Sequence, residues 1–219
     1  MNLAFYSTYC GSTKNQTFNP QPVESTYPYF FISNNEDVLK KSTEVGYNPI
    51  FLQMEVSDDP ILSSYQAKTA KVLPHFFEPL TKYDLLFYKD DKISINVGKI
   101  ENSVRALIDS GSSTCIQAHP RLNGSLLYEF AAAMEHLKYR LQYVQIVAYI
   151  TEELKNGAHL TCQMYATGAI LRNMRHSDTI NINNMWWEHL NRCGIECQIS
   201  FDVIAQKFNS ITLPPSSFN

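Results

Sequence analysis

The segment Tyr83–Lys89 does most to constrain how this chain can fold, because it is strongly apolar and runs straight into Asp90-Asp91. A strand that ends abruptly in two carboxylates puts them at the C-terminal edge of a sheet, where open α/β folds bind ligands. Other short apolar runs read as further strands: Leu3–Thr8, Tyr29–Ser33, Pro49–Gln53, Thr114–Ala118 and Gly168–Leu171. Ile93–Val97 alternates apolar and polar residues just after the acidic pair. Helical segments fall between these runs. Asp59-Pro60 supplies a cap and a first-turn proline for a helix to about Leu73. Asn123-Gly124-Ser125 opens a long helical region to about Lys155, broken once near Lys138–Leu141 and stopped by Asn156-Gly157. Asn184–Asn191 is a helix carrying Trp186 and Trp187, and Cys197–Phe208 is the last one. Such alternation predicts an α/β chain whose mainly parallel sheet is covered by helices. Neither an internal repeat nor a low-complexity linker interrupts it, so residues 1–208 read as one domain. Residues 209–219, around Pro214-Pro215-Ser216-Ser217, read as a frayed tail.

Composition removes several classes of function. The 13 Tyr and 12 Phe, with only 18% charged residues, exclude an intrinsically disordered chain. A net charge of −3 argues against duplex nucleic acid as a partner, since phosphate neutralisation needs a clustered excess of Lys and Arg. The longest apolar-leaning run, Leu141–Ile150, contains Gln142 and Gln145 and falls short of the ~20 residues that span a bilayer. The opening residues carry neither a basic leader nor a long apolar stretch, so no signal peptide is expected. Five scattered cysteines fit reduced thiols in the cytoplasm better than a disulfide framework. Cys193 and Cys197 have no second pair to complete a zinc site, and the sequons at Asn15 and Asn123 carry little weight in a cytoplasmic chain.

Three groups of residues could carry chemistry. Asp90 and Asp91 offer the carboxylate oxygens that hard cations such as Mn²⁺ or Mg²⁺ choose, usually together with a substrate phosphate. The plainer alternative is a charged turn, with Lys89 and Lys92 as surface ion-pair partners worth ~0–1 kcal/mol. Lys68, Lys71 and His75, spaced by three and four, form a basic stripe able to cradle a diphosphate or simply to face water. Arg175-His176, Trp186-Trp187-Glu188-His189 and Glu196-Cys197-Gln198 form the third group. Neighbouring tryptophans lie about 100° apart on a helix, so one faces the core and the other a cleft or a sugar. His176 is either a late metal ligand or an ordinary surface histidine.

The order of these motifs resembles that of GT-A-type glycosyltransferases, most nearly the small chlorovirus enzymes that build capsid-protein glycans. The resemblance rests on Lys71-x-x-Pro74-His75, the strand into Asp90, His119-Pro120-Arg121, Thr167-Gly168-x-Ile170-Leu171-Arg172, Arg175-His176, Trp186-Trp187-Glu188 and Gln198-x-Ser200-Phe201. It spans residues 2 to 208. It implies a nucleotide-binding half, about residues 1–100, and an acceptor-facing half, about 101–208. A UDP-sugar donor would meet a glycan or glycoprotein acceptor there, with Mn²⁺ or Mg²⁺ on Asp90, Asp91 and His176. It implies Tyr6, Ser7, Thr8 and Asn34 for base and ribose, and Lys68, Lys71 and His75 for the diphosphate. Gln163, Thr167, Trp187 and Gln198 would then surround the sugar. For the carboxylate near the reacting carbon, Glu188 comes first and Asp202 second. Two departures stand out: Lys92 occupies the third place of the Asp-x-Asp-like motif, and Cys197 stands where related domains carry Asp. They leave room for a carbohydrate-binding protein that has kept the fold without catalysis. A nucleotidyltransferase would share the strand-end carboxylates. If the chain is viral, it would work in the host cytoplasm.

Overall fold

A computed structural model describes residues 2–14, 18, 20–22, 26–120 and 124–218. The sequon asparagines Asn15 and Asn123, the latter also opening the expected long helix, and Arg121 of the His-Pro-Arg motif lie outside the described residues. In chain order the elements are β1 (Leu3–Thr8), β2 (Tyr29–Ser33), α1 (Glu36–Glu44), β3 (Asn48–Phe51) and α2 (Pro60–Val72). Then come β4 (Leu85–Lys89), α3 (Val97–Asp109), β5 (Thr114–Ala118), α4 (Leu126–Ala133) and α5 (Leu137–Arg140). The chain continues through α6 (Tyr143–Lys155), β6 (Tyr165–Asn173), α7 (Ser177–Cys193), α8 (Cys197–Ala205) and β7 (Ile211–Thr212). The strands form one sheet in the order β3-β2-β1-β4-β6-β5-β7. β6 runs antiparallel to both its neighbours, β4 and β5, and every other pairing is parallel. The expected α/β fold with a mostly parallel sheet is the one observed.

Alternation along the strands explains why both faces of the sheet are covered. Ala4 and Tyr6 of β1 and Leu86 and Tyr88 of β4 face a core completed by Trp186 and Leu190 of α7 and Phe201 of α8. Leu3 and Phe5, with Leu85 and Phe87, face the opposite core against Val38 of α1 and Ile100 and Leu107 of α3. A third cluster joins Leu126 of α4, Ile146 and Tyr149 of α6, and Ile199 and Val203 of α8. All five cysteines carry free thiols. Among the described residues no helix is long and apolar enough to cross a membrane.

Several elements differ from the sequence reading. Asn35 is an N-cap, its side chain accepting the Asp37 N–H, and it starts the unforeseen α1. Asn96 caps α3 in the same way, and the alternating run Ile93–Val97 is irregular up to the helix start at Val97. The predicted long helical region is three helices, and α7 begins at Ser177, well before Asn184. Where fraying is expected, the C-terminal segment is docked at β7 and at Phe218. β7 pairs with β5, the buried Phe218 ring meets Phe87 edge-on at 5.0 Å, and the Phe218 carbonyl accepts the Asn96 N–H at 2.8 Å. Phe218→Ala is therefore expected to lower the unfolding free energy by ~3–5 kcal/mol in a urea titration. A change within about 0.5 kcal/mol, usual for an uninvolved surface site, would show the tail to be undocked.

Candidate functional site

A cleft of about 700 Å³ opens at the C-terminal ends of β1 and β4. Thr8 lies on its wall at the end of β1, and Asp90, Asp91 and Lys92 follow β4. α2 contributes Lys68 and Lys71, α4 contributes Glu129, and α5 contributes Lys138 and Tyr139. Glu196, Cys197 and Gln198 come from the start of α8. Thr167 arrives from β6, whose reversed direction brings its N-terminal end beside the C-terminal end of β4.

The centre of the cleft is tightly interlinked. Lys71 Nζ lies 3.6 Å from Asp90 Oδ1, donates to Thr167 Oγ1 at 3.3 Å and sits 5.1 Å over the Tyr88 ring. Tyr88 Oη donates to the same Asp90 oxygen at 2.5 Å. Thr167 Oγ1 is 3.5 Å from Cys197 Sγ. The Asp90 N–H donates to the Gly168 carbonyl at 2.7 Å, and a turn closes from Asp90 to Ile93. Gly168 leaves room there for the Ile93 and Asp90 side chains. A Cβ on it would come within 2.6 Å of Ile93 Cδ1 and 3.1 Å of Asp90 Oδ2.

Burial and charge tune the titrating groups. Burial pulls the Lys68 ammonium down, but Cys197, Glu196 and Asp90 outweigh it and leave its pKa raised. Lys138 is lowered, first by burial and then by the neighbouring charges of Lys68 and Lys92. Glu196, whose carboxylate caps α8 through the Gln198 N–H, is pushed up by burial against the pull of Lys68. Glu129 is pushed up to about 7, mainly by burial and then by Glu196, and its Oε2 is buried without a hydrogen-bond partner.

The structure brings together Thr8, Lys68, Lys71, Asp90, Asp91, Thr167 and Gln198 of the sequence-derived set. The others lie elsewhere. Tyr6 is buried beneath the cleft, donating to the Lys71 carbonyl at 3.0 Å and accepting from Arg172 Nη1 at 2.8 Å. Ser7 is buried, and Asn34 ties the Gly11 N–H to the Glu55 carbonyl and Gln66. His75 packs on Phe76 in a 3₁₀ turn, and Gln163 is exposed. Trp187 is half-buried against the core, while its neighbour Trp186 is fully inside and donates to the Cys197 carbonyl at 3.0 Å. Glu188 is exposed. Asp202 is buried, accepts the Tyr165 N–H at 2.9 Å and is pushed well up by burial. None of these eight lines the cleft.

His176 is also outside the cleft, and its Nδ1 caps α7 by accepting the Asp178 N–H. Among the described residues no group of three His, Cys, Asp or Glu side chains is arranged to hold a metal ion. Asp90 Oδ1 is already engaged by Lys71 and Tyr88. The residues present thus do not fit a divalent ion shared by Asp90, Asp91 and His176. Glu129, Lys138 and Tyr139 are cleft residues that sequence reasoning missed, and Glu196, singled out there beside Cys197 without a role, is a fourth. The one available signal was Glu129, a lone carboxylate in the apolar helix Leu126–Ala133.

No protein-family model matches the sequence, and no curated protein matches it. Solved structures do. Mouse xyloside xylosyltransferase 1, in its apo form, superposes with a TM-score of 0.53 at 9% identity, over 97% of this chain and 84% of that one. Core-mannan synthase A from Aspergillus fumigatus, in a Mn/GDP form, gives 0.46 at 13% identity over 97% and 72%. The chain has the fold of the xylosyltransferase, a GT-A-type architecture.

Two outcomes follow from the geometry. A carboxyl whose folded pKa is raised to about 7 binds more protons in the folded than in the unfolded state, so stability falls as pH rises from 4.5 through 7. At about 1.4 kcal/mol per pH unit the Glu129 contribution comes to roughly 3 kcal/mol, and Glu129→Gln should flatten that slope in urea titrations across the window. Gly168→Ala should cost about 1–3 kcal/mol through overpacking against the Asp90–Ile93 turn, measured by the same unfolding assay.

Proposed function

We propose that this chain is a glycosyltransferase that takes a nucleotide-diphosphate sugar, a UDP-sugar first, into the cleft and passes the sugar to a glycan or glycoprotein acceptor. The observation that carries the reading is the meeting of Lys68 and Lys71 with the strand-end Asp90 and Asp91 in one cleft, at the sheet edge where α/β folds bind ligands. Sugar transfer develops negative charge on the departing diphosphate, and ammonium groups aimed at that charge lower the barrier. Thr8 and the ends of β1 and β4 face the nucleotide. The wall built by α4, α5 and α8 faces the sugar and acceptor, with residues 1–100 as the nucleotide-facing half and 101–208 as the acceptor-facing half. Glu129 and Glu196 are the carboxylates placed to act near the sugar, a role that Glu188 and Asp202 are not positioned to fill. The acceptor is met in the cytoplasm, and a viral capsid glycoprotein is the instance the sequence resemblance suggests.

The reading is tested by thermal shift and donor hydrolysis with UDP, UDP-sugars, GDP-mannose and UTP. UDP and at least one UDP-sugar should stabilise the protein, with slow release of UDP. Lys68→Met should weaken UDP binding about tenfold or more, the worth of a charge-assisted hydrogen bond. Stabilisation by UTP but not by UDP would favour a nucleotidyltransferase. Binding of oligosaccharide alone would favour a non-catalytic carbohydrate-binding protein.

A further inference from the structure

Four lysines line the cleft: Lys68 and Lys71 from α2, Lys92 from the turn after β4 and Lys138 from α5. Only Lys71 is spent on an ion pair, with Asp90. Among the described residues Lys68, Lys92 and Lys138 make no salt bridge, although each comes from a different element. Convergence of like charges in a partly dry cleft is unfavourable unless an anion offsets it. The carboxyls that share the cleft cancel them only in part. Asp58 pairs with Lys14 at 3.4 Å, and Asp90 is held by Lys71 and Tyr88. Glu129 is buried and pushed toward its neutral form, which leaves Glu196 and Asp91 as the counter-charges to three ammonium groups. The motif position two residues after Asp90, where a carboxylate would extend a metal site, is Lys92.

We propose that Lys68, Lys92 and Lys138 grip the donor diphosphate directly, so that nucleotide binds this protein without a divalent cation. The three ammonium groups then do electrostatically what a bound ion does elsewhere. They match the charge on the bridging diphosphate and offset the further charge that appears when the sugar–oxygen bond breaks. Lys71, held on Asp90 and Thr167, stays as the fixed cation at the strand end. This inference rests on the nucleotide-sugar reading above.

The test uses isothermal titration of UDP into the unmodified protein, once in EDTA and once in millimolar Mn²⁺. The expected result is the same affinity in both, falling as NaCl is raised because surface charge is screened. Lys68→Met, Lys92→Met and Lys138→Met keep the apolar stem and lose the charge. Each should weaken UDP about tenfold or more in EDTA, the worth of one charge-assisted hydrogen bond, while Lys138→Arg retains binding. Binding that appears only with Mn²⁺, or tightens more than about tenfold with it, overturns the inference and leaves the nucleotide-sugar reading standing. Absence of UDP binding in both buffers overturns the reading itself. The comparison of EDTA with Mn²⁺ needs no variant, so a misfolded mutant cannot decide it.

Discussion

A guanidinium with no carboxylate beside it is costly to bury, and Arg172 is 1% exposed with no salt bridge among the described residues. Its charge is borne by oxygen dipoles: Nη1 donates to Tyr6 Oη at 2.8 Å, Nη2 to the Lys71 carbonyl at 3.0 Å and Nε to Asn183 Oδ1 at 3.0 Å. Trp186 covers it from 6.0 Å. One side chain on β6 thereby ties β1, the C-terminal turn of α2 and α7 together. Tyr6 also donates to the Lys71 carbonyl, so the backbone of Lys71 is fixed by two buried donors. That constraint sets where the Lys71 ammonium emerges, and its contacts with Asp90 and Thr167 order the floor of the cleft. Removing Arg172 would leave Tyr6 Oη and Asn183 Oδ1 buried without their donor and the Lys71 carbonyl with Tyr6 alone, which is why the site and the core cannot be separated energetically.

How far the sequence disclosed this depends on whether a signal is local. β1, β2 and β5 were legible to the residue, because buried strands are short apolar runs closed by polar residues. α2 was legible because Asp59-Pro60 is a cap followed by a first-turn proline. α1 and α3 were missed although Asn35 and Asn96 cap them. α1 has few apolar positions, whereas α3 carries Val97, Ile100, Val104 and Leu107 at helical spacing and was passed over because the run Ile93–Val97 that leads into it has the period of a strand. Phe218 was unreadable for another reason. A single aromatic after Pro214-Pro215 carries no periodicity, and only the gap beside Phe87 gives it a place.

The cleft divides along the same line. Asp90 and Asp91 end an apolar strand, and Lys68 and Lys71 sit three apart on one helix, so each pair is a local pattern. Glu129, Lys138 and Glu196 come from three helices that meet only in the fold. Lys138 lies in what reads as a helix break, and that break is the one-turn helix α5 on the cleft wall. Glu188 and Asp202 drew attention because they follow Trp186-Trp187 and Ser200-Phe201. Both motifs turn out to be core features: Trp186 is clamped to Cys197 and Ser200, and Phe201 lies against Trp186 at 4.7 Å. The aromatic pattern marks how α7 packs on α8. That packing in turn aims Glu196 and Cys197 at the cleft.

Reversal of β6 is what makes these pieces converge. In a wholly parallel sheet every strand would deliver its C-terminal end to the binding edge, and Arg172 would stand there in place of Thr167. Running antiparallel, β6 enters the sheet at the cleft, with Ala169 opposite Lys89 and Thr167 beyond it, and carries Arg172 toward the far end opposite Leu86. The small residues Thr167 and Gly168 thus lie at the cleft, where the Asp90–Ile93 turn needs space. The bulky cation lies in the core, where it holds Lys71 from beneath. The side chains of the turn lie close enough to Gly168 that even a methyl group would push the Ile93 and Asp90 side chains aside. One strand direction therefore fixes both the opening above Asp90 and the support below Lys71. That makes Gly168 and Arg172, neither of which lines the cleft, as much a part of its geometry as the lysines that do.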